Sequence, residues 1–578
     1  MARFVLRGAA LSAVLVGFAF RFASECGADE DVSYAHAVVA ADHEAASRAG
    51  IEILKQGGNV VDAAVATGFA LSVVRPASSG IGGGGFMVIW DAREKRGIAL
   101  DYRERAPSRA TRDMYVDPHD PKKIRPDASE HGPLAVAVPA HVAGLCYALR
   151  EYGTLDLKTV LGPALRLCRE GVPVDRHDIA VQKEVIKDFA GHPEYREKFA
   201  ALHRLYANDG KPWKEGERFH SPLAKVFEVI AEKGADGFYR GEVAQAIFAE
   251  IQRGGGLMTP DDLGAMKPDV REPLTGRFGA HTLLSMPPPS GGGIALMETL
   301  NVLSSIGARH PDAAPGKLPH NSPLYLHLLA ESFKHAFADR AAYLGDADFA
   351  NVPVARLTSR KYAAELARRI DLARTQTPEK YGRFVTPNDG GTSHFSILDA
   401  KGNAVACTET INTHFGSYVV EPRFGIVLNN EMDDFTSLPG VPNAFGLIQS
   451  EANSIEPGKR PLSSMTPTIL VRDGRAEFVV GASGGPRIIT ATAQVLLNMV
   501  QFGMNPRVAV DAPRIHHQWS PDDLEVETDS LMMPGLKEMR HQLRIHRDGA
   551  VVQAASRDAG GRLRAASDHR KGGRAAGY

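Results

Sequence analysis

Thr392 stands directly after two glycines, Gly390 and Gly391, where a polar loop gives way to a strand-like pattern. A threonine hydroxyl at this point can attack the preceding carbonyl, and Gly391 has no side chain to hinder it. Hydrolysis of the resulting ester would cut the chain and leave Thr392 with a free α-amine. Because such an amine has an unperturbed pKa of about 8, it can serve as a base for its own hydroxyl. The segment indicates self-cleavage, although an ordinary loop-to-strand junction has the same residues.

A second hydroxyl, that of Thr410, comes close to Thr392 if the two segments around Lys401-Gly402 form a hairpin. Both segments alternate between apolar and polar residues, and Lys401-Gly402 is a turn signal. A two-residue turn there places Thr392 opposite Ile411, one residue from Thr410. The pattern therefore predicts a group of polar side chains at the start of the first strand.

Gly484 and Gly485 form a candidate anion site. The segment 479–483 reads as a strand end, and the apolar segment 487–502 reads as a helix with Pro486 in its first turn. The backbone N–H groups just before a helix have no intrahelical acceptor and can bind an oxyanion. A plain tight turn explains the same two glycines equally well.

Two other motifs do not support a cofactor. Gly80, Gly82 and Gly85 match a dinucleotide-binding spacing, but a helical pattern precedes them and a strand follows, the reverse of what that site requires. His516 and His517 are adjacent, so their side chains point apart, and no carboxylate has ligand spacing with them. We expect structural histidines and no metal or organic cofactor.

The composition is that of an ordinary globular protein. Of the 578 residues, 44% are hydrophobic and 23% charged, and 67 Lys and Arg against 68 Asp and Glu give a net charge of −1. The balance argues against a dedicated nucleic-acid binder, which needs excess positive charge. Four cysteines in so long a chain rule out a disulfide scaffold. A single bridge between Cys146 and Cys168 remains open.

The N-terminus has the pattern of a secretory signal peptide. Arg3 and Arg7 precede the apolar segment 9–20, which is too short to span a bilayer. Small residues predict cleavage after Ala28, so that residues 1–28 are the signal and the protein is exported, periplasmic or secreted, without a stable membrane anchor. A buried N-terminal helix and lipidation of Cys26 are the alternatives.

Helical patterns dominate the first two thirds of the chain and strand patterns follow a polar, Pro- and Gly-rich break at 375–391. The chain also resembles the γ-glutamyltransferases (γ-glutamyl transpeptidases), a family of N-terminal-nucleophile hydrolases. The resemblance runs from Ala37 to Tyr578 and rests on ordered blocks at 57–64, 82–86, 101–104, 286–293, 392–396, 428–435, 460–465 and 575–578.

The resemblance implies an α+β fold, an αββα sandwich built from two chains after cleavage between Gly391 and Thr392. The large subunit would be 29–391 and the small catalytic subunit 392–578. Thr392 matches the family's nucleophile, Thr410 the threonine that hydrogen-bonds to it, and Gly484 and Gly485 the oxyanion-hole pair.

The remaining matched residues bind the donor substrate. Arg103, with Ser463 and Ser464, matches the group that binds the donor's α-carboxylate. Asn412, Glu431 and Asp434 match the group that binds its α-amino nitrogen. A guanidinium with hydroxyls, set against carboxylates, is suited to recognising an α-amino acid.

A loop at 438–448 matches the family's lid over the site. Phe445 occupies the position where many bacterial members carry Tyr, so the aromatic ring is kept and the phenolic hydroxyl is not.

The resemblance implies an enzyme that cleaves the γ-glutamyl amide of glutathione or a related donor and transfers the acyl group to an amino acid, a peptide or water. The two subunits would form a heterodimer. The rival on the same fold is a cephalosporin or glutaryl acylase, whose substrate lacks the α-amino group. A rival of another class is a non-catalytic exported binding protein that stays uncut.

Overall fold

Two stacked β-sheets form the centre of the computed structural model, which describes residues 32–382, 392–447, 449–547 and 549–578. The strands are β1 Ala37–Ala41, β2 Gly84–Asp91, β3 Arg96–Tyr102, β4 Val116–Asp117, β5 Asp120–Ile124, β6 Val172–Pro173, β7 Arg218–Phe219, β8 Asp269–Arg271, β9 Leu274–Phe278, β10 His281–Ser285, β11 Thr392–Asp399, β12 Ala404–Thr410, β13 Val420–Glu421, β14 Ile426–Val427, β15 Thr468–Arg472, β16 Arg475–Ser483, β17 Ile515–His516, β18 Asp523–Val526, β19 Gln542–Ile545, β20 Val551–Arg557, β21 Leu563–Ser567 and β22 Ala576–Gly577.

The α-helices lie mainly before β11, as the sequence pattern predicted. They are Glu44–Lys55, Val60–Val74, His141–Tyr152, Leu157–Glu170, Arg176–Gly191, Tyr195–Lys198, Ala200–Leu205, Ala224–Lys233, Asp236–Tyr239, Gly241–Arg253, Pro260–Gly264, Gly292–Arg309, Pro323–Tyr343, Val354–Leu357, Arg360–Arg369, Arg487–Val500, Pro506–Asp511 and Pro534–Glu538. The described residues include no helix long and apolar enough to cross a membrane.

Both central sheets are antiparallel and mix strands from the two sides of the predicted cleavage point. One has seven strands in the order β22-β1-β11-β12-β2-β3-β8, and the other has six in the order β21-β20-β16-β15-β10-β9. β11 and β12 face β16 across the interface, and helices cover the outer face of each sheet. This is the predicted αββα sandwich. Its sheets cannot form from either predicted subunit alone.

The register of the β11–β12 hairpin corrects the sequence-based expectation by one residue. Thr392 lies opposite Thr410, not Ile411. The connection is longer than two residues because the Asp399 carboxylate accepts hydrogen bonds from the backbone and side-chain amides of Asn403. Gly402 adopts a φ of 94°, which favours glycine. The longer turn puts the two threonines directly across the ladder.

Alternation along β11 directs Thr392 into the space between the sheets. Phe395 and Ile397 join the core that the seven-stranded sheet shares with its helices. His394 points the other way, and its ring fills the space above Gly481 of the second sheet. Thr392 shares the face of His394 because the two are separated by one residue.

The helix Val60–Val74 is buried along its whole length and supports the seven-stranded sheet from outside. Asn59 caps it by accepting from the backbone N–H of Asp62, and the Asp62 carboxylate accepts from the backbone N–H of Asn59 in return. A continuously apolar sequence with a strong cap forms a central helix here, and that helix packs against β11 and β12.

The three described cysteines, Cys146, Cys168 and Cys407, are free thiols, so the bridge left open above is not present. Burial raises the pKa of Cys146 and Cys168 to about 12, which keeps both as protonated, unreactive thiols. The predicted signal peptide lies outside the described residues.

Candidate active site

Most of the predicted site residues line one pocket between the sheets. Its lining comes from both predicted subunits and comprises Arg103, Thr392, Thr410, Asn412, Asp434, Phe445, Leu447, Ser463, Ser464, Met465, Gly485, Pro486 and Ile488. Glu431 joins the same group through Arg103, and Gly484 precedes Gly485 in the chain. Gly391, on the other side of the predicted cleavage point, lies outside the described residues.

Thr392 and Thr410 form a hydroxyl pair at one end of the pocket. The Thr392 hydroxyl donates to the Thr410 hydroxyl over 3.3 Å, and the Thr410 oxygen also accepts from the backbone N–H of Asn412 at 2.8 Å. Asn412 adopts a φ of 80° and its side-chain amide donates to the Asn430 carbonyl. These contacts fix the direction of the Thr410 oxygen, and therefore the orientation of the Thr392 hydroxyl.

Gly484 and Gly485 lie between β16 and the helix Arg487–Val500. Their φ values are 123° and 52°, in the region that favours glycine, and a side chain on Gly484 would meet the backbone of Gly549 and Ala550 at 3.0 Å. The turn therefore requires glycine at position 484 and favours it at position 485. Gly485 and Pro486 line the pocket beside Thr392, which places backbone N–H groups at a helix start next to the hydroxyl pair.

Arg103 is fully buried and forms ion pairs with Glu431 and Asp434. Glu104 lies 3.7 Å from the same guanidinium, and the carbonyl of Pro461 accepts from its Nε at 3.3 Å. The sequence predicts that guanidinium and carboxylates lie on opposite sides of a ligand. In the structure they contact each other directly.

The buried cluster has more carboxyl groups than guanidinium groups. Three carboxylates, Glu104, Glu431 and Asp434, face two guanidiniums, Arg103 and the buried Arg340. Burial raises the pKa of all three carboxyls, that of Glu104 to about 8, while Arg103 opposes the shift. The cluster therefore favours the arrival of one further cation or of a proton.

Ser463 and Ser464 line the pocket on the side of the Gly292–Arg309 helix start. The Ser463 hydroxyl accepts from the backbone N–H of Met465 at 3.2 Å. The buried Ser464 hydroxyl has no hydrogen-bond partner within the described residues. An unsatisfied hydroxyl beside a guanidinium is suited to binding a carboxylate.

The segment predicted to be a lid, described here from 438 to 447, contributes Phe445 and Leu447 to the pocket lining. Phe445 is buried, and its backbone N–H donates to the Asn443 side-chain oxygen. The Asn443 amide in turn donates to Asp434 at 3.2 Å. Asp433 accepts from the backbone N–H of Ala444 at 2.8 Å. Asn443 and Asp433 thus hold the lid to the ion cluster without a phenolic hydroxyl at position 445.

Sequence reasoning missed several residues that contact this site. Asp433 lies in the matched block 428–435 and Asn443 in the predicted lid, but neither was identified as a site residue. Asp42 and Lys571 lie at opposite ends of the chain, yet Lys571 pairs with Asp42 at 2.7 Å and contacts Thr392. Only the strand pairing brings such distant positions together.

The paired histidines, His516 and His517, are both buried. His516 bonds to Thr490 and Gln518, and burial lowers its pKa to about 3. A separate buried group, His327, Glu331 and His541, has the residue types of a metal site. The ring nitrogens of His327 and His541 lie 2.8 Å apart, which is a hydrogen-bond length, and none of the three residues lines the pocket.

The two stacked sheets, with a threonine at the start of a central strand and its hydroxyl in a polar pocket, define an N-terminal-nucleophile hydrolase. The sequence model named Gamma-glutamyltranspeptidase matches residues 46–578. The chain belongs to that family. It is 41% identical over 540 residues to the glutathione hydrolase proenzyme of Escherichia coli, covering 90% of each chain.

Solved structures agree with this assignment. A cephalosporin acylase from Bacillus halodurans superposes with a TM-score of 0.80 at 27% identity, over 96% of this chain and 98% of that one. The gamma-glutamyltranspeptidase of Helicobacter pylori superposes with a TM-score of 0.53 at 36% identity, over 59% of this chain and 93% of that one. The fold is therefore common to enzymes of both activities, and the site has to distinguish them.

Proposed function

We propose that this protein is a self-processing γ-glutamyltransferase that cleaves the γ-glutamyl amide of glutathione or a related donor. The observation that carries the proposal is the pocket itself, in which the Thr392–Thr410 pair faces a buried cluster with excess carboxylates. A γ-glutamyl group brings an ammonium and a carboxylate on one carbon. The ammonium can balance the carboxylates of the cluster in place of a proton, and Arg103, Ser463 and Ser464 receive the donor's carboxylate.

The first chemical step forms an ester between Thr392 and the donor. The Thr392 α-amine takes the hydroxyl proton, the oxygen attacks the γ-carbonyl, and the N–H groups of Gly484 and Gly485 stabilise the oxyanion. The intermediate collapses, the C–N bond breaks, and the leaving amine receives the proton from the α-ammonium.

The second step transfers the acyl group. An amino acid, a peptide or water loses a proton to the α-amine and attacks the ester, and Thr392 recovers its hydroxyl. No step requires a metal or an organic cofactor.

The same threonine is proposed to mature the enzyme. Attack of its hydroxyl on the Gly391 carbonyl and hydrolysis of the ester leave a large subunit, 29–391, and a small one, 392–578. Because β1, β2 and β10 pair with strands of the small subunit, the two pieces should remain a heterodimer. Export to the periplasm or medium through a signal peptide at 1–28 is part of this proposal.

The test is the fate of Thr392→Ala. Purified wild type should give two bands on a denaturing gel and hydrolyse a γ-glutamyl chromogenic amide. The alanine variant should give one band and no turnover. Cleavage of the variant at the same bond would assign the cut to a separate protease.

A glutaryl acylase is the second candidate because a cephalosporin acylase shares nearly the whole fold. Its substrate has no α-ammonium to compensate Glu104, Glu431 and Asp434. The buried excess of carboxylates therefore favours the γ-glutamyl donor.

A further inference from the structure

Lys571, seven residues before Tyr578, contacts the backbone carbonyl of the proposed nucleophile. Its buried ammonium donates to the Thr392 backbone carbonyl at 2.7 Å and to the Asp42 carboxylate at 2.7 Å. Covalent geometry keeps the Thr392 α-nitrogen within about 4 Å of that carbonyl oxygen. A cation is thus placed beside the residue whose α-amine has to act as a base.

Asp42 connects Lys571 to the oxyanion turn. Its other oxygen accepts from the Gln553 amide at 2.7 Å, and the Ser483 hydroxyl lies 3.5 Å from the oxygen that pairs with Lys571. Ser483 immediately precedes Gly484. One buried ion pair therefore contacts both the nucleophile strand and the end of the strand that leads to the oxyanion glycines.

The other charged groups around the pair contact one another. Arg75 donates to the backbone carbonyl of Lys571 at 2.8 Å and forms ion pairs with Asp175 and Asp178. Burial, followed by the charge of Arg75, lowers the pKa of His43 to about 3, and the same two causes lower that of His177. Both histidines are uncharged near neutral pH and add no positive charge beside Lys571.

We propose that Lys571 is a positioning residue whose ammonium fixes the Thr392 carbonyl and whose charge keeps the Thr392 α-amine unprotonated at neutral pH. A nearby like charge disfavours the ammonium form and so lowers the pKa of the amine. Only the neutral amine can take the proton of the Thr392 hydroxyl. The inference rests on the proposed function, in which that amine is the base.

The experiment compares the pH dependence of kcat at saturating γ-glutamyl p-nitroanilide for wild type and four variants. Lys571→Met and Lys571→Gln remove the charge, and Lys571→Arg keeps it. Lys334→Met is the matched control, because Lys334 is equally buried and pairs with Asp522 at 2.7 Å but does not line the pocket. A denaturing gel reports self-cleavage of each protein.

Removal of the Lys571 charge should raise the pKa of the Thr392 α-amine. The fall of kcat on the acid side of its pH profile (the acid limb) should therefore move up by about one pH unit. At pH 7 kcat should fall about tenfold and recover near pH 9. In these variants the Asp42 carboxylate loses its partner, and its negative charge also raises the pKa of the amine. Lys571→Arg and Lys334→Met should keep the wild-type limb.

Mature neutral variants with an unshifted acid limb would overturn the proposal. If the Met and Gln variants do not cleave themselves, the outcome for Lys571→Arg tests the proposal. A Lys571→Arg enzyme that cleaves itself and keeps the wild-type acid limb of kcat supports the need for a cation. A Lys571→Arg protein that stays uncut overturns the proposal. Wild type that neither cuts itself nor turns over the amide would instead refute the proposed function.

Discussion

Thr392 and Thr410 meet because a strand pairing places them directly opposite each other, with their oxygens 3.3 Å apart. The residue types could be identified in the sequence, since a threonine after two glycines is suited to self-cleavage. Their contact could be placed only to within one residue. The error came from Asp399, whose carboxylate holds a longer turn than the Lys401-Gly402 signal suggests. A side-chain contact of this kind does not affect the alternation of apolar and polar residues, so the sequence pattern does not reveal it.

Thr410→Ala should reduce kcat by about 10²-fold and slow self-cleavage, because the Thr392 hydroxyl loses the oxygen that orients it. Turnover of a γ-glutamyl chromogenic amide measures the first effect and a time course on denaturing gels the second. Thr410→Ser keeps the hydroxyl and is the control. Wild-type kinetics in the alanine variant would show that the pair has no role.

At the scale of elements, the lid is held by loop residues that sequence reasoning did not single out. The change from Tyr to Phe at position 445 suggested a missing hydrogen bond. The structure instead holds the loop through Asn443, which contacts both Asp434 and the Phe445 backbone. An asparagine in a polar loop has too many possible partners for its contact to be inferred from sequence alone.

Asn443→Ala should raise the KM for the donor about tenfold with a smaller effect on kcat, since a hydrogen bond to a charged group that closes the pocket is lost. Phe445→Tyr should have little effect on KM or kcat, because Asn443 already holds the loop in place. Steady-state kinetics on both variants make the comparison. An unchanged KM in the alanine variant would mean that the Asn443 contact does not hold the lid.

At the scale of the whole molecule, the αββα layers were predictable because long blocks of sequence carry the family resemblance. For the ion cluster, the sequence predicted which residues take part but not how they pair. Arg103 comes from the end of β3, while Glu431 and Asp434 follow β14 far along the chain. Their direct pairing depends on packing between distant segments, and the distribution of charge within a buried cluster cannot be inferred from spacing.

The cluster predicts opposite pH dependences for two substrates. Burial raises the pKa of its carboxyls, that of Glu104 to about 8, and a bound ammonium lowers them again. Donor binding should therefore release a proton, and its KM should fall as pH rises from 6 to 8, by at most about tenfold per unit for one proton. A glutaryl amide brings no ammonium, so its KM should rise over the same range. Parallel profiles for the two amides would contradict this charge account.

The most direct measurement of the central claim is the ratio of kcat/KM for a γ-glutamyl amide and the matching glutaryl amide. A glutaryl group leaves the excess carboxylates without a cation in a buried site, so wild type should prefer γ-glutamyl by about 10³-fold. Asp434→Asn, which keeps the shape and removes one charge, should lose most of that preference. Arg103→Lys should depress both substrates, since both carry the carboxylate. Equal rates for the two amides in wild type would contradict the account and favour the acylase.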